Sequence, residues 1–276
     1  MSLKFTGFSG LQTNPQHTLL INQDTWCLSF FFRLAAGSST DSQILNQTFL
    51  LTCWPAYPQA SSKSPFTVML ISLLKAYDPS LVGILCNVSA GGEGADAFTS
   101  GVDAFAGHHV LVYGVPRELI DADNPDEGYT QGLFMYVDGS PVDTLDTDVG
   151  ISHNDLFPDG GASAIDPYIP LDNTKDPDFS IRLGNPNMIQ LQPGFFGPSY
   201  YPGQVSYTLE DVAVWHDFTP QMADVTALRD RAKRPGDFPS GLRVWWKLDA
   251  TSGNVSGADA DLQNAASAGE HDLHIV

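Results

Sequence analysis

Apolar and polar residues alternate along many short stretches of this chain. Trp26 to Leu34 reads W-C-L-S-F-F-F-R-L, which sets Leu28, Phe30, Phe32 and Leu34 on one face of a strand and Ser29 and Arg33 on the other, the period of two that a pleated chain imposes. Similar β-rich runs are predicted at Gln43 to Trp54, Phe66 to Ala76, Leu81 to Ser89 and His109 to Val115, each bounded by Gly, Ser, Pro or Asp. Two short apolar runs flank Asp138-Gly139, and both of these residues tolerate positive φ, so a tight hairpin is predicted over 132–142. Phe179 to Leu183 and Tyr207 to Phe218 alternate again, the second offering Leu209, Asp211, Ala213 and Trp215 against Val212 and Val214. One short helix is expected near residues 220–233. Thr219 can cap it, Pro220 suits its first position, and Met222, Val225 and Leu228 recur at three-residue steps before a basic stretch closed by Pro235-Gly236. Leu242 to Leu248 and Leu273 to Val276 supply the last strands. The class these patterns predict is all-β: an antiparallel sandwich.

Length leaves one large β domain or two small ones open at 276 residues. No linker and no fixed-period repeat interrupts the pattern, so a single domain over 1–276 is expected, with 242–276 completing the sheets. The stretch from Thr144 to Asp178 is rich in Asp, Gly and Pro and too long for an ordinary connection of about 4 to 6 residues, which marks it as a functional or interface loop.

Charge narrows the partners. The chain carries 32 acidic and 13 basic side chains, a formal net charge of −19, and such a surface repels phosphate backbones and anionic membranes, so neither nucleic acid nor membrane is expected as a partner. No run approaches the ~18 apolar residues of a membrane span. The first residues lack the basic start and apolar stretch of a secretory signal, so synthesis in the cytoplasm is expected, with the sequons at Asn46, Asn87 and Asn254 left unmodified. Cys27, Cys53 and Cys86 form an odd set embedded in apolar runs and read as inert buried thiols.

The opening L-K-F-T-G-F-S-G-L with W-C-L-S-F-F-F-R-L, the pair H-H-V-L-V-Y and G-L-F-M-Y-V-D-G-S-P-V, the run I-R-L-G-N, and L-E-D-V-A-V-W-H-D-F-T-P-Q-M-A-D-V-T-A-L together resemble the laminin-G-like branch of the concanavalin A-like lectin and glucanase superfamily. That resemblance implies a two-sheet jelly roll. The sequence departs from the family in its tail: V-W-W-K-L-D-A-T-S-G and H-D-L-H-I-V look like the strand pair that usually precedes the opening segment, which suggests a permuted arrangement with neighbouring termini.

Catalytic chemistry finds little support. Glycoside hydrolysis needs two carboxyl groups flanking one bond, whereas Glu210 and Asp211 are adjacent and expected on opposite faces of a strand, and Glu118 and Asp121 fall in a loop. No nucleophile elbow, P-loop or His-Glu-x-x-His motif occurs. His108 and His109 are consecutive and read as strand-end or surface residues, and His271 with His274 faces the same difficulty. Calcium is the better metal candidate, since hard cations choose oxygen ligands and the loop offers Asp143, Asp146, Asp148, Asp155, Asp159 and Asp166. Relatives in the resembled branch often carry such an ion; solvated turns are the alternative. Phe195, Phe196, Tyr200 and Tyr201 sit in a Gly/Pro-framed loop, where they either cover the domain's own core or form a subunit contact or sugar-stacking platform.

The function expected is a non-catalytic binding or assembly module. It suits a virion surface component, a phage capsid decoration or tail-associated protein docking on other virion proteins and on itself as a homo-oligomer, with glycans as further ligands. A free carbohydrate-binding lectin is the alternative, and a glycoside hydrolase the third.

Overall fold

The computed structural model describes residues 3–6, 10–13, 26–38, 49–55, 67–75, 78, 80–90, 93–117, 130–142, 179–184, 205–248, 265–266 and 273–275. They form fourteen strands in two seven-stranded antiparallel sheets, one short helix and a 3-10 turn. The first sheet holds β1 (Leu3–Thr6), β3 (Trp26–Leu34), β8 (Gly107–Arg117), β9 (Thr130–Val137), β10 (Ser140–Pro141), β12 (Ser206–His216) and β13 (Leu242–Trp246). The second runs in the order β14 (Leu273–Ile275), β2 (Gly10–Thr13), β11 (Phe179–Gly184), β4 (Phe49–Pro55), β5 (Thr67–Lys75), β6 (Leu81–Ala90) and β7 (Glu93–Asp103).

One continuous core joins the sheets. Trp26, Leu28, Phe30, Phe32, Val110, Val112, Val214 and Trp246 of the first meet Leu11, Leu51, Leu73, Val82, Ile84, Ile181, Leu183 and Leu273 of the second. Trp26, Trp246, Tyr207, Phe5, Phe30 and Phe32 are among its largest fully buried side chains, and truncating a ring of this kind to alanine costs about 3–5 kcal/mol. Cys27 and Cys86 are buried, as expected, and burial pushes the Cys27 thiol well up.

The first sheet is also covered on its outer face. The helix α1 (Met222–Arg229) lays Val225 and Leu228 on Cys27, Leu111, Tyr113, Ala213 and Trp215. Ser29 on the same face is buried as well, so β3 is covered on both sides over most of its length, where alternation alone predicts a half-buried strand. The helix starts later than predicted. Its N-cap is Gln221, whose backbone N–H donates to Asp224 Oδ2 at 3.0 Å, and Pro220 lies outside it.

Two irregularities shape the face. At Asp138-Gly139 the φ angles are 52° and 77°, giving the predicted turn between β9 and β10. Within β12 the register against β3 slips between Glu210 and Ala213, and Asp211 at the slip has φ 50°. The bulge reverses the facing of all that follows: Leu209, Val212 and Val214 enter the core between the sheets, while Ala213 and Trp215 turn toward the helix. Strict alternation groups Leu209 with Ala213 and Trp215, and the bulge puts them on opposite faces.

Early and late strands share both sheets. β1 pairs with residues 206–209 of β12 and β13 with residues 212–215, and because β3 occupies the opposite edge, β1 and β13 lie end to end along one side of β12. In the second sheet β14 pairs with β2.

Candidate functional site

The residues singled out by composition lie outside the described residues: Asp143, Asp146, Asp148, Asp155, Asp159 and Asp166, and likewise Phe195, Phe196, Tyr200 and Tyr201. Among the described residues, the polar chemistry gathers on the outer face of the first sheet, where the segment leaving α1 folds back across β12, β3 and the β9–β10 turn.

That segment is a row of cations, each placed by a partner. Arg229 Nη1 donates to the Asp138 carbonyl at 3.2 Å. Arg231 Nη2 donates to Glu210 Oε2 at 2.5 Å, and its guanidinium carbon sits 4.2 Å from the centre of the Phe31 ring. Arg234 Nη2 donates to Asp211 Oδ1 at 2.7 Å, and the same oxygen accepts Trp245 Nε1–H at 3.0 Å. Lys233 lies over Phe238 and Lys247 over Trp245, 4.9 and 5.0 Å from the ring centres. Glu210 and Asp211 were expected on opposite faces. The left-handed residue at the bulge instead brings both carboxylates to the same segment, where each holds one arginine.

The two histidines were expected at a strand end or the surface, and the structure corrects this: both are buried, 5% and 1% exposed. His108 points into the core beside Phe32 and has an acceptor at each ring nitrogen, Asp138 Oδ2 at 2.7 Å from Nδ1 and the Asp103 carbonyl at 2.7 Å from Nε2. A carbonyl can only accept, so Nε2 carries a proton; an ionised Asp138 then holds a second on Nδ1, and the pair is an imidazolium against a carboxylate. Burial lowers the His108 pKa, but the hydrogen bonds to Asp138 and Asp103 and the charges of both residues outweigh it and leave the pKa raised. For Asp138, burial pulls upward, while the bonds from His108 and from the His109 backbone N–H at 2.9 Å hold its carboxyl below the ordinary value.

His109 faces the other way, against Phe31, with Nε2 2.9 Å from Ser29 Oγ. Burial, opposed by the Asp138 charge and aided by Arg229 and Arg231, lowers its pKa to about 4, so it is neutral at pH 7. A hydroxyl beside a neutral imidazole is the arrangement that activates a serine nucleophile. Here Ser29 is 2% and His109 1% exposed, and the buried pair ties β3 to β8.

Where the segment after α1 ends its cover, the sheet opens into a cleft of about 220 Å³ lined by Phe31, Phe32, Arg33, Gly107, Thr208, Glu210 and Arg231. Arg33 Nε donates to the Phe105 carbonyl at 3.0 Å. A Cβ added at Gly107 would meet nothing within 4 Å. Sequence reasoning missed this cleft because its walls come from β3, β8, β12 and the segment after the helix; the signals present were an arginine closing an otherwise apolar strand and the basic run Arg229-Asp-Arg-Ala-Lys-Arg234.

No protein-family model matches the chain, and no curated protein does. Among solved structures it is similar to the binding domain of Paraclostridial Mosquitocidal Protein 1 (12% identity, 82% of this chain and 38% of that one, TM-score 0.41). It is also similar to the botulinum neurotoxin serotype D binding domain (8%, 83% and 42%, TM-score 0.40) and to an alginate lyase in complex with alginate trisaccharide (9%, 71% and 72%, TM-score 0.35). The chain spans about two-fifths of the length of the two toxin domains.

Proposed function

We propose that this protein is a non-catalytic binding or assembly module built on a concanavalin A-like jelly roll. The observation that carries the reading is the commitment of the carboxylates around the cleft and turn. Glu210 holds Arg231, Asp211 holds Arg234 and Trp245, and Asp138 holds His108. Hydrolysis of a glycoside needs one carboxyl group able to give a proton and another able to attack or to activate water. Groups that anchor arginines over aromatic rings serve architecture instead.

The more specific form of the proposal is a virion surface component, attached through loops to a capsid or tail lattice as symmetric copies, with its acidic surface keeping particles apart. The two sheets, the Asp138-Gly139 hairpin and the short helix after β12 support the jelly-roll part; the virion part rests on the sequence resemblance and on the charge. A polysaccharide panel incubated with wild type and Glu210→Gln tests the non-catalytic claim. Neither protein should release reducing ends, and turnover by wild type that the substitution abolishes would overturn it. Detection of the chain in purified virus particles at a fixed ratio to the major capsid protein tests the specific form; its absence from such particles leaves the free lectin as the better reading.

A further inference from the structure

We propose that the cleft over Gly107 is a binding site for a single carboxylate-bearing, hydroxyl-rich unit, the acidic residue of a glycan. This deepens the reading of the chain as a binding module and rests on it. Size sets the first limit. Ligand pockets commonly enclose about 300–1,000 Å³, and at about 220 Å³ this one admits one ring rather than an extended oligomer.

Charge sets the second. Arg33 and Arg231 against Glu210 leave the cleft one positive charge in a molecule of net −19, so it is a local exception that selects an anion. Arg33 is the receptor group. Its Nε is fixed on the Phe105 carbonyl, which orients the guanidinium plane, and its two terminal nitrogens have no partner among the described residues. A planar fork held in this way matches a carboxylate in bidentate geometry.

Glu210 decides what the anion must carry besides its charge. One of its oxygens accepts from Arg231, and because Glu210 lines the cleft, its carboxylate can offer a ligand acceptors only. A second carboxylate there is repelled, which disfavours a run of acidic residues from a protein partner, whereas a hydroxyl satisfies it. Thr208 adds a hydroxyl of its own. Phe31 offers little stacking area, because Arg231 lies over it and His109 leans against it, so the unit is held by polar contacts and the affinity expected is about millimolar. The floor at Gly107 has room for the ring because no side chain fills it.

The test titrates the full chain, by calorimetry or NMR, with methyl glucuronide, methyl glucoside, sodium acetate and a tetra-aspartate peptide. Methyl glucuronide should bind at least ten-fold more tightly than the other three. Arg33→Gln should reduce it to the level of the glucoside, and Gly107→Gln, which projects into open space, should abolish binding with the melting temperature unchanged. Equal binding of glucoside or acetate, tighter binding of the peptide, or full binding by Gly107→Gln would each overturn the proposal. Failure of all four probes also overturns it and leaves the binding-module reading intact; that reading fails instead on cleavage of a polysaccharide.

Discussion

His108 and His109 show how far two neighbours in a strand can diverge, since one side chain reaches between the sheets to a carboxylate and a carbonyl while the next lies under arginines beside a serine. Their effects on stability have opposite signs. His109 is neutral in the fold down to about pH 4 but takes up a proton near 6.5 when unfolded, so the unfolded state binds more protons between those values and stability falls with acid by roughly 3 kcal/mol over the full interval. His108 has a raised folded pKa; its contribution is complete below about pH 6.5 and is lost as pH climbs through the folded value. Asp138 contributes above its ordinary pKa and fails only at lower pH, as the solution passes its depressed folded value. Urea unfolding as a function of pH should therefore peak near 6.5. His109→Phe should flatten the acid limb and His108→Gln the alkaline limb; a profile unchanged by either would contradict the assignment. Gly241 is the second decisive residue. Its φ is 73°, and an added Cβ would fall 1.8 Å from the His216 carbonyl oxygen, at the point where His216 N–H donates to the Gly241 carbonyl. Gly241→Ala should cost at least about 2 kcal/mol in the same measurement.

Among the elements, β12 carries most of the organisation, and its bulge is the place where a local irregularity decides contacts far along the chain. Asp211 is 3% exposed, accepts from Arg234 and Trp245, and donates its backbone N–H to the Lys247 carbonyl. Asp211→Ala strands two donors and places a residue without a polar side chain in the left-handed region, at an expected cost of about 3–5 kcal/mol. Asp211→Asn keeps an acceptor and a residue tolerant of that conformation, and should cost less than half as much; equal losses in denaturant melts would mean that the bulge does not need the acceptor. None of this was visible in the sequence, where Leu-Glu-Asp-Val-Ala-Val-Trp reads as plain alternation. Strands with strong apolar patterns were legible: β3 matches its prediction from Trp26 to Leu34, and β5, β6, β8 and the Asp138-Gly139 hairpin fall where period two and turn chemistry place them. β7 was missed because E-G-A-D-A-F-T-S-G-V-D offers small and acidic residues in place of alternating bulk, and its pairing with β6 comes from the neighbour. The helix was seen but started two residues early, since Pro220 fits a first turn as well as the approach to one. Binding residues suffered most. An arginine and a glycine opposite each other across β3 and β8 mean nothing until the register is known.

At the scale of the molecule, the sheets are closed by strands from both ends of the chain. β13 completes the side of β12 that β1 only half covers, and its Val244 and Trp246 enter the common core with Leu248. Removing Leu242 to Val276 should abolish cooperative thermal unfolding altogether, and a truncated chain that still melts in one sharp transition would show that the C-terminal strands are an accessory. The arrangement also orders events in time. A chain emerging from the ribosome presents β1, β2, β3 and β8 long before the segments that seal them exist, so neither layer is finished until β13 and β14 have been made. Closure of both layers therefore waits on the last-made strands of the domain, and a chain stopped before Leu242 would yield a product fit only for degradation.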